Sequence, residues 1–158
     1  MRPDTPPEST THAPRQGRDR CDKRIRLMVE FAVYEPRGLV GSIVRTVDEI
    51  LPRQAVSELR EYKRAVERAL PGVERLILFG SRARGQARAD SDYDVAVVVR
   101  DLSDLPRVRR ALSDLAYEHI LNGFYIRPIP LPPDYLDTHG RRPTELAEEI
   151  IRDGAEVA

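Results

Sequence analysis

Two short apolar runs, Leu76-Ile77-Leu78-Phe79 and Val95-Ala96-Val97-Val98-Val99, bracket a stretch dense in glycine, arginine and aspartate. Each run is aliphatic or β-branched and bounded by polar residues, so each reads as a buried strand. The segment between them opens with Gly80-Ser81 and closes with Asp92-Tyr93-Asp94. Side chains alternate across a strand, which places Asp92 and Asp94 on the same side at the start of the second strand. Two neighbouring carboxylates on one face repel each other unless a cation sits between them. Hard oxygen donors of this kind suit Mg²⁺, which takes one or two carboxylates together with phosphate oxygens.

The Gly80-Ser81 corner supplies a complementary half. Gly80 has no Cβ and can take positive φ, so backbone there can approach a ligand closely. Ser81 is expected to cap a short helix, whose N-terminus would favour an anion. Arg82, Arg84 and Arg88 add positive charge suited to phosphate oxygens. The expected site holds a triphosphate at Gly80-Ser81, bridged by metal to Asp92 and Asp94.

Gly80-Ser81, ten intervening residues and Asp92-Tyr93-Asp94 resemble the signature of the minimal nucleotidyltransferases of the DNA polymerase β superfamily. The resemblance takes in the Gly-Ser-Arg-Ala-Arg-Gly turn and the Asp-Ser-Asp-Tyr-Asp approach to the second strand. It is strong over about residues 73–100 and looser towards the C-terminus. Without flanking strands the stretch would read as a surface loop with incidental aspartates. The strands are what make the motif specific.

At 158 residues the chain fits one domain with a sizeable core. Lys plus Arg and Asp plus Glu balance at 26 each, which gives no general attraction to nucleic acid or an acidic membrane. Cys21 is the single cysteine, so no disulfide can form within the chain. No apolar run approaches a membrane span, and the N-terminus lacks the apolar centre of a signal peptide. A cytoplasmic location is expected.

Residues 1–24 are rich in Pro, Thr, Arg and Asp with few large apolar side chains, and are expected to be disordered. Residues 25–52 form an N-terminal extension of open character, in which 25–34 suit either a strand or a helix. Gly41-Ser42 repeats the dipeptide of the motif, but no Asp-x-Asp pair follows at the matching distance, so it reads as a turn. The nucleotidyltransferase domain is expected over 53–158. From Arg53 to Leu70, Val56, Leu59, Tyr62 and Val66 recur at helical spacing, and Pro71-Gly72 ends the helix. Tyr62 is therefore a core residue in this reading. A second amphipathic helix follows Asp101-Leu102-Ser103-Asp104, with Leu105, Val108, Leu112, Leu115 and His119 on one stripe. His119 reads as a satisfied, partly buried histidine rather than a general base. The Arg107-Arg109-Arg110 cluster reads as a solvated face, and no metal-ligand spacing links His12, His119 and His139.

Residues 124–131 read as a third strand, and Pro128 and Pro130 place it at a sheet edge or bulge. In the resembled family this strand often carries another aspartate that completes the metal site. Here the candidate positions hold Ile126, Arg127, Pro128, Ile129 and Pro130, none acidic. Asp134 and Asp137 lie just beyond and read as solvated loop carboxylates. Pro143-Thr144 to Arg152 forms a last amphipathic helix, with Leu146, Ala147, Ile150 and Ile151 on one face. The fold class expected is α/β (α+β), a small mixed sheet with packed helices, and by resemblance the polymerase β-like nucleotidyltransferase fold.

The resemblance implies transfer of AMP from ATP to a hydroxyl on a macromolecular acceptor. Asp92 and Asp94 would be the catalytic pair and the ligands of one or two Mg²⁺, while Gly80, Ser81, Arg82 and Arg84 would hold the nucleotide. Without a third carboxylate, turnover would be slow, run on one metal, or borrow a group from a partner. Relatives of this kind often pair with a helical HEPN-type ribonuclease toxin as its antitoxin, which makes a protein partner the leading acceptor; a nucleic-acid acceptor stays open. A different class, a nucleotide-binding protein that neutralises its partner by contact alone, is the alternative. Transfer of nucleotide, as against binding only, separates the two.

Overall fold

The computed structural model describes residues 43, 45–137 and 142–158. The expectations for residues 1–24, for 25–34, for Gly41-Ser42 and for Cys21, His12 and His139 fall outside the described residues.

The helices form where apolar residues recur with helical period. A short helix α1 (Val47–Ile50) precedes α2 (Arg53–Ala69), whose Val56, Leu59, Tyr62 and Val66 are buried. After β1 (Val73–Phe79) comes a single turn, α3 (Gly80–Ala83), and then β2 (Tyr93–Val99). Helix α4 (Leu105–Leu121) starts at Asp104, whose carboxylate accepts the Arg107 backbone N–H at 3.1 Å. Such a cap satisfies one of the orphan donors of the first turn. The edge strand β3 (Ile126–Leu131) follows, then a 3₁₀ turn (Pro133–Leu136). Helix α5 (Glu145–Asp153) is capped by the Thr144 hydroxyl, which accepts the Ala147 N–H at 3.1 Å. It leads straight into β4 (Ala155–Glu156).

The sheet has the order β3-β2-β1-β4. β1 pairs antiparallel with β2 and β4, and β2 pairs parallel with β3. This is the mixed sheet expected, and β3 lies at its edge, where its two prolines are tolerated. The strand β4 carries no signal of its own in the sequence. Two residues are too few for a period, and pairing with Ile77 and Leu78 creates the strand.

Alternation along β1 and β2 divides the core. Leu76, Leu78, Val95, Val97 and Val99 face α2 and α4, where they meet Leu59, Tyr62, Val66 and Leu112. Ile77, Phe79, Ala96 and Val98 face the other way, towards Leu136, Ala147 and Ile150 of the 3₁₀ turn and α5. Burying one such side chain fully contributes about 1.5–3 kcal/mol. Val47 is fully buried in the α2/α4 layer, so residues 45–51 pack on this same core. The Glu156 N–H donates to the Arg45 carbonyl at 2.8 Å, tying the chain ahead of α1 to β4. Two polar contacts lock α2 to α4. The Tyr62 hydroxyl donates to the Leu112 carbonyl at 3.1 Å, and burial pushes its phenol well above the ordinary tyrosine range. His119 Nδ1 lies 2.6 Å from Glu58 Oε2, so this histidine is satisfied inside the helix pair, far from the Gly-Ser turn in role. No described helix is long and apolar enough to cross a membrane.

Candidate active site

The two carboxylates of the motif come together at the start of β2, but in unlike surroundings. Asp92 precedes the strand and is exposed, with no ion pair or hydrogen bond among the described residues. Asp94 is the second strand residue and its side chain is only 12% exposed. Tyr93 between them faces the α2/α4 layer, stacking on Phe124 with ring centroids 3.9 Å apart. Alternation therefore turns Asp92 and Asp94 to the opposite face, the α5 side.

Gly80 makes room for Asp94. It takes φ +76°, a conformation that costs an L-residue roughly 1–2 kcal/mol. A Cβ at this position would stand 2.6 Å from Asp94 Oδ2. Both demands, positive φ and close approach, are met by glycine alone. Burial is the main influence on Asp94 and pushes its carboxyl above the usual range. The Arg127 guanidinium opposes that shift, while Asp92 and Glu149 reinforce it.

The sequence places Ser81 at the head of a helix, whereas the structure makes Phe79 the residue before the first turn and sets Ser81 inside it. A one-turn element leaves no room for a side-chain cap further in. The Ser81 hydroxyl has no partner among the described residues and stays available as a donor. Arg82 is engaged: its Nε and Nη2 donate to the Ser91 carbonyl at 3.1 and 2.7 Å, and Nη2 also reaches the Ala89 carbonyl at 3.2 Å. Its guanidinium carbon lies 4.3 Å from the Tyr93 ring centroid, a cation–π distance. Arg82 thus folds the loop that delivers Asp92. Arg84 turns to α5, where Nη1 contacts Glu149 and, at 3.2 Å, Asp153 Oδ2. Arg152 also holds Asp153, at 2.8 Å, and this hydrogen bond is the main reason that the Asp153 carboxyl lies below the usual range. Arg45 donates to the Ala83 carbonyl at 3.0 Å and closes the turn from behind.

β3 departs from the acidic pattern in a definite way. Arg127 pairs in register with Asp94, and its Nε and Nη2 both reach Asp94 Oδ1 at 2.5 Å. No residue of β3 is acidic, and Asp134 sits exposed on the 3₁₀ turn. Among the described residues no cluster of three or more His, Cys, Asp or Glu side chains is placed to hold a metal. The donor set that remains, exposed Asp92 beside Asp94, fits one Mg²⁺ completed by phosphate oxygens. The Arg127 contact is the feature that sequence reasoning missed. Its signal lay in the β2–β3 register, which no local pattern encodes. A surface hollow of about 650 Å³ along α2, lined by Asp48, Arg53, Arg60 and Arg64 among others, touches neither carboxylate.

Residues 63–158 match the family described as polymerase beta, nucleotidyltransferase. No curated protein matches the chain significantly. Among solved structures, a Sulfolobus solfataricus protein named as a nucleotidyltransferase is 20% identical, with 65% of this chain and 78% of that one covered and a TM-score of 0.45. A toxin–antitoxin structure with AMP-PNP is 20% identical over 63% of this chain and 72% of that one, TM-score 0.43. A protein named as a minimal nucleotidyltransferase is 31% identical over 63% of this chain and 92% of that one, TM-score 0.37.

Proposed function

Because the chain belongs to the polymerase β nucleotidyltransferase family, we propose that it transfers AMP from ATP to a hydroxyl of a macromolecular acceptor. The observation that carries this reading is the fit of Gly80 to Asp94: a Cβ at Gly80 would meet Asp94 Oδ2 at 2.6 Å, so only glycine lets the turn lie this close to the motif's buried carboxylate. In the transfer, the acceptor oxygen forms a bond to the α-phosphorus, the bond to pyrophosphate breaks, and the hydroxyl proton is lost to solvent. Asp92 and Asp94 would hold one Mg²⁺, which would supply charge neutralisation on the phosphates. Gly80 keeps the turn close to Asp94, and the Ser81 hydroxyl, which has no partner among the described residues, donates to an oxygen of the leaving phosphates. Arg82 sets the loop that carries Asp92, and its field favours the triphosphate without its leaving Ser91. Arg84 contributes in the same way from its seat on α5.

A protein acceptor is the reading we favour, and a helical toxin of the HEPN type, adenylylated by this chain as its antitoxin, is the specific form the motif resemblance implies. The contact-only alternative gains support from one feature, the hold of Arg127 on Asp94. The experiment is transfer of label from α-labelled ATP with Mg²⁺ to a candidate helical partner, with the Asp92→Asn/Asp94→Asn double variant as control. Label on the partner that disappears in the double variant is the expected result. Equal neutralisation of the partner by both proteins, with no label, would overturn transfer and leave contact alone.

A further inference from the structure

We infer that Arg127 takes the place of a second cation at this site, so that the chain binds a single divalent metal ion with its nucleotide, on Asp92 and one oxygen of Asp94. The inference rests on the nucleotide-transfer reading above and specifies its metal requirement. A two-metal clamp sets its ions about 3.5–4 Å apart and needs oxygens shared between them. Among the described residues Asp94 is the buried carboxylate at the start of β2, and its Oδ1 already accepts two N–H groups from Arg127. Its Oδ2 lies against Gly80, within 2.6 Å of where a Cβ would be. Asp94 can therefore offer one oxygen to a metal and cannot bridge two.

The charge balance points the same way. A guanidinium does not lose its proton in a protein, so Arg127 is a permanent positive charge on Asp94. Asp92, Asp94 and Arg127 sum to one negative charge, which suits one divalent ion carried with the phosphates. Two of the α5 acids are committed elsewhere. Glu149 is bound by Arg84, and Asp153 by Arg84 and Arg152. Register makes the arrangement a fixed feature, since Arg127 stands beside Asp94 on the parallel neighbour strand. The Arg127 side chain is 61% exposed, so its outer N–H groups also face incoming phosphate.

The test counts Mn²⁺ bound by the full chain in the presence of α,β-methylene ATP, following free Mn²⁺ by electron paramagnetic resonance. Wild type is expected to bind one Mn²⁺ per chain, as is Arg127→Lys, which keeps the charge. Arg127→Ala releases Asp94 Oδ1 and is expected to bind two. Arg127→Met serves as a second neutral variant, and thermal melts establish that each variant is folded. Two Mn²⁺ in wild type, or one in both folded neutral variants, would overturn the inference while leaving nucleotide transfer standing. Wild-type binding that Asp92→Asn fails to weaken, or no binding at all, would overturn the underlying site as well.

Discussion

The two faces of the sheet are built to different standards. Among the described residues, twenty buried hydrophobics fill the α2/α4 face and eight fill the α5 face. The first face closes over its polar groups in pairs, Tyr62 with Leu112 and Glu58 with His119. The second carries Asp94 and Asp153, both buried carboxylates, and the arginines that answer them. Apolar burial on one side supplies the stability that lets charge be kept out of water on the other. A desolvated carboxylate costs free energy that a paired cation offsets, as Arg127 does for Asp94 and Arg84 and Arg152 do for Asp153. The thin face is where the proposed site sits.

If this division is correct, perturbing each face should move a different observable. Leu59→Ala, in the fully buried α2/α4 layer, should lose about 2–5 kcal/mol in urea unfolding. Metal and nucleotide affinity of the folded fraction should stay within twofold; a tenfold loss would show the faces to be coupled. Gly80→Ala should cost about 1–2 kcal/mol from its positive φ. The added Cβ also displaces Asp94, so Mn²⁺ affinity measured by titration should fall at least tenfold. Unchanged affinity would mean that the Gly80–Asp94 fit does not define the site.

Tyr62→Phe should cost about 1 kcal/mol, the worth of its hydrogen bond, with no change in metal binding. The smallest effect belongs to Asp94→Asn. Burial raises the Asp94 carboxyl in the folded state, so its contribution to stability is present at acid pH and is lost as pH rises through the folded value. The melting temperature of Asp94→Asn relative to wild type should therefore climb from pH 3 to pH 7. A difference that falls with pH would mean that Arg127 outweighs burial.

The thick face was the legible one. Val56, Leu59, Tyr62 and Val66 repeat with helical period, and β1 and β2 announce themselves as aliphatic runs, because local pattern and tertiary burial agree there. Prolines 128 and 130 gave β3 its edge position for the same reason. On the thin face the motif located Gly80, Asp92 and Asp94, but partnership had to come from register and from α5. Arg82 and Arg84 look like free phosphate ligands in the sequence, yet Arg82 is bound to carbonyls 7 and 9 residues away and Arg84 to carboxylates 65 and 69 residues away. Arg127 is an unremarkable surface arginine until β3 lines up beside Asp94. Charge patterns name residue types; chain geometry chooses their partners.

The prolines of β3 have one more effect. Positions 128 and 130 share a side of the strand, and a proline in an edge strand sits with its missing N–H turned outward. The free rim of the sheet therefore offers carbonyls with few matching donors, and another strand cannot zip onto it. The β3 rim thus carries its own stop against growth strand by strand, and a protein docking along it would have to grip side chains rather than extend the sheet there.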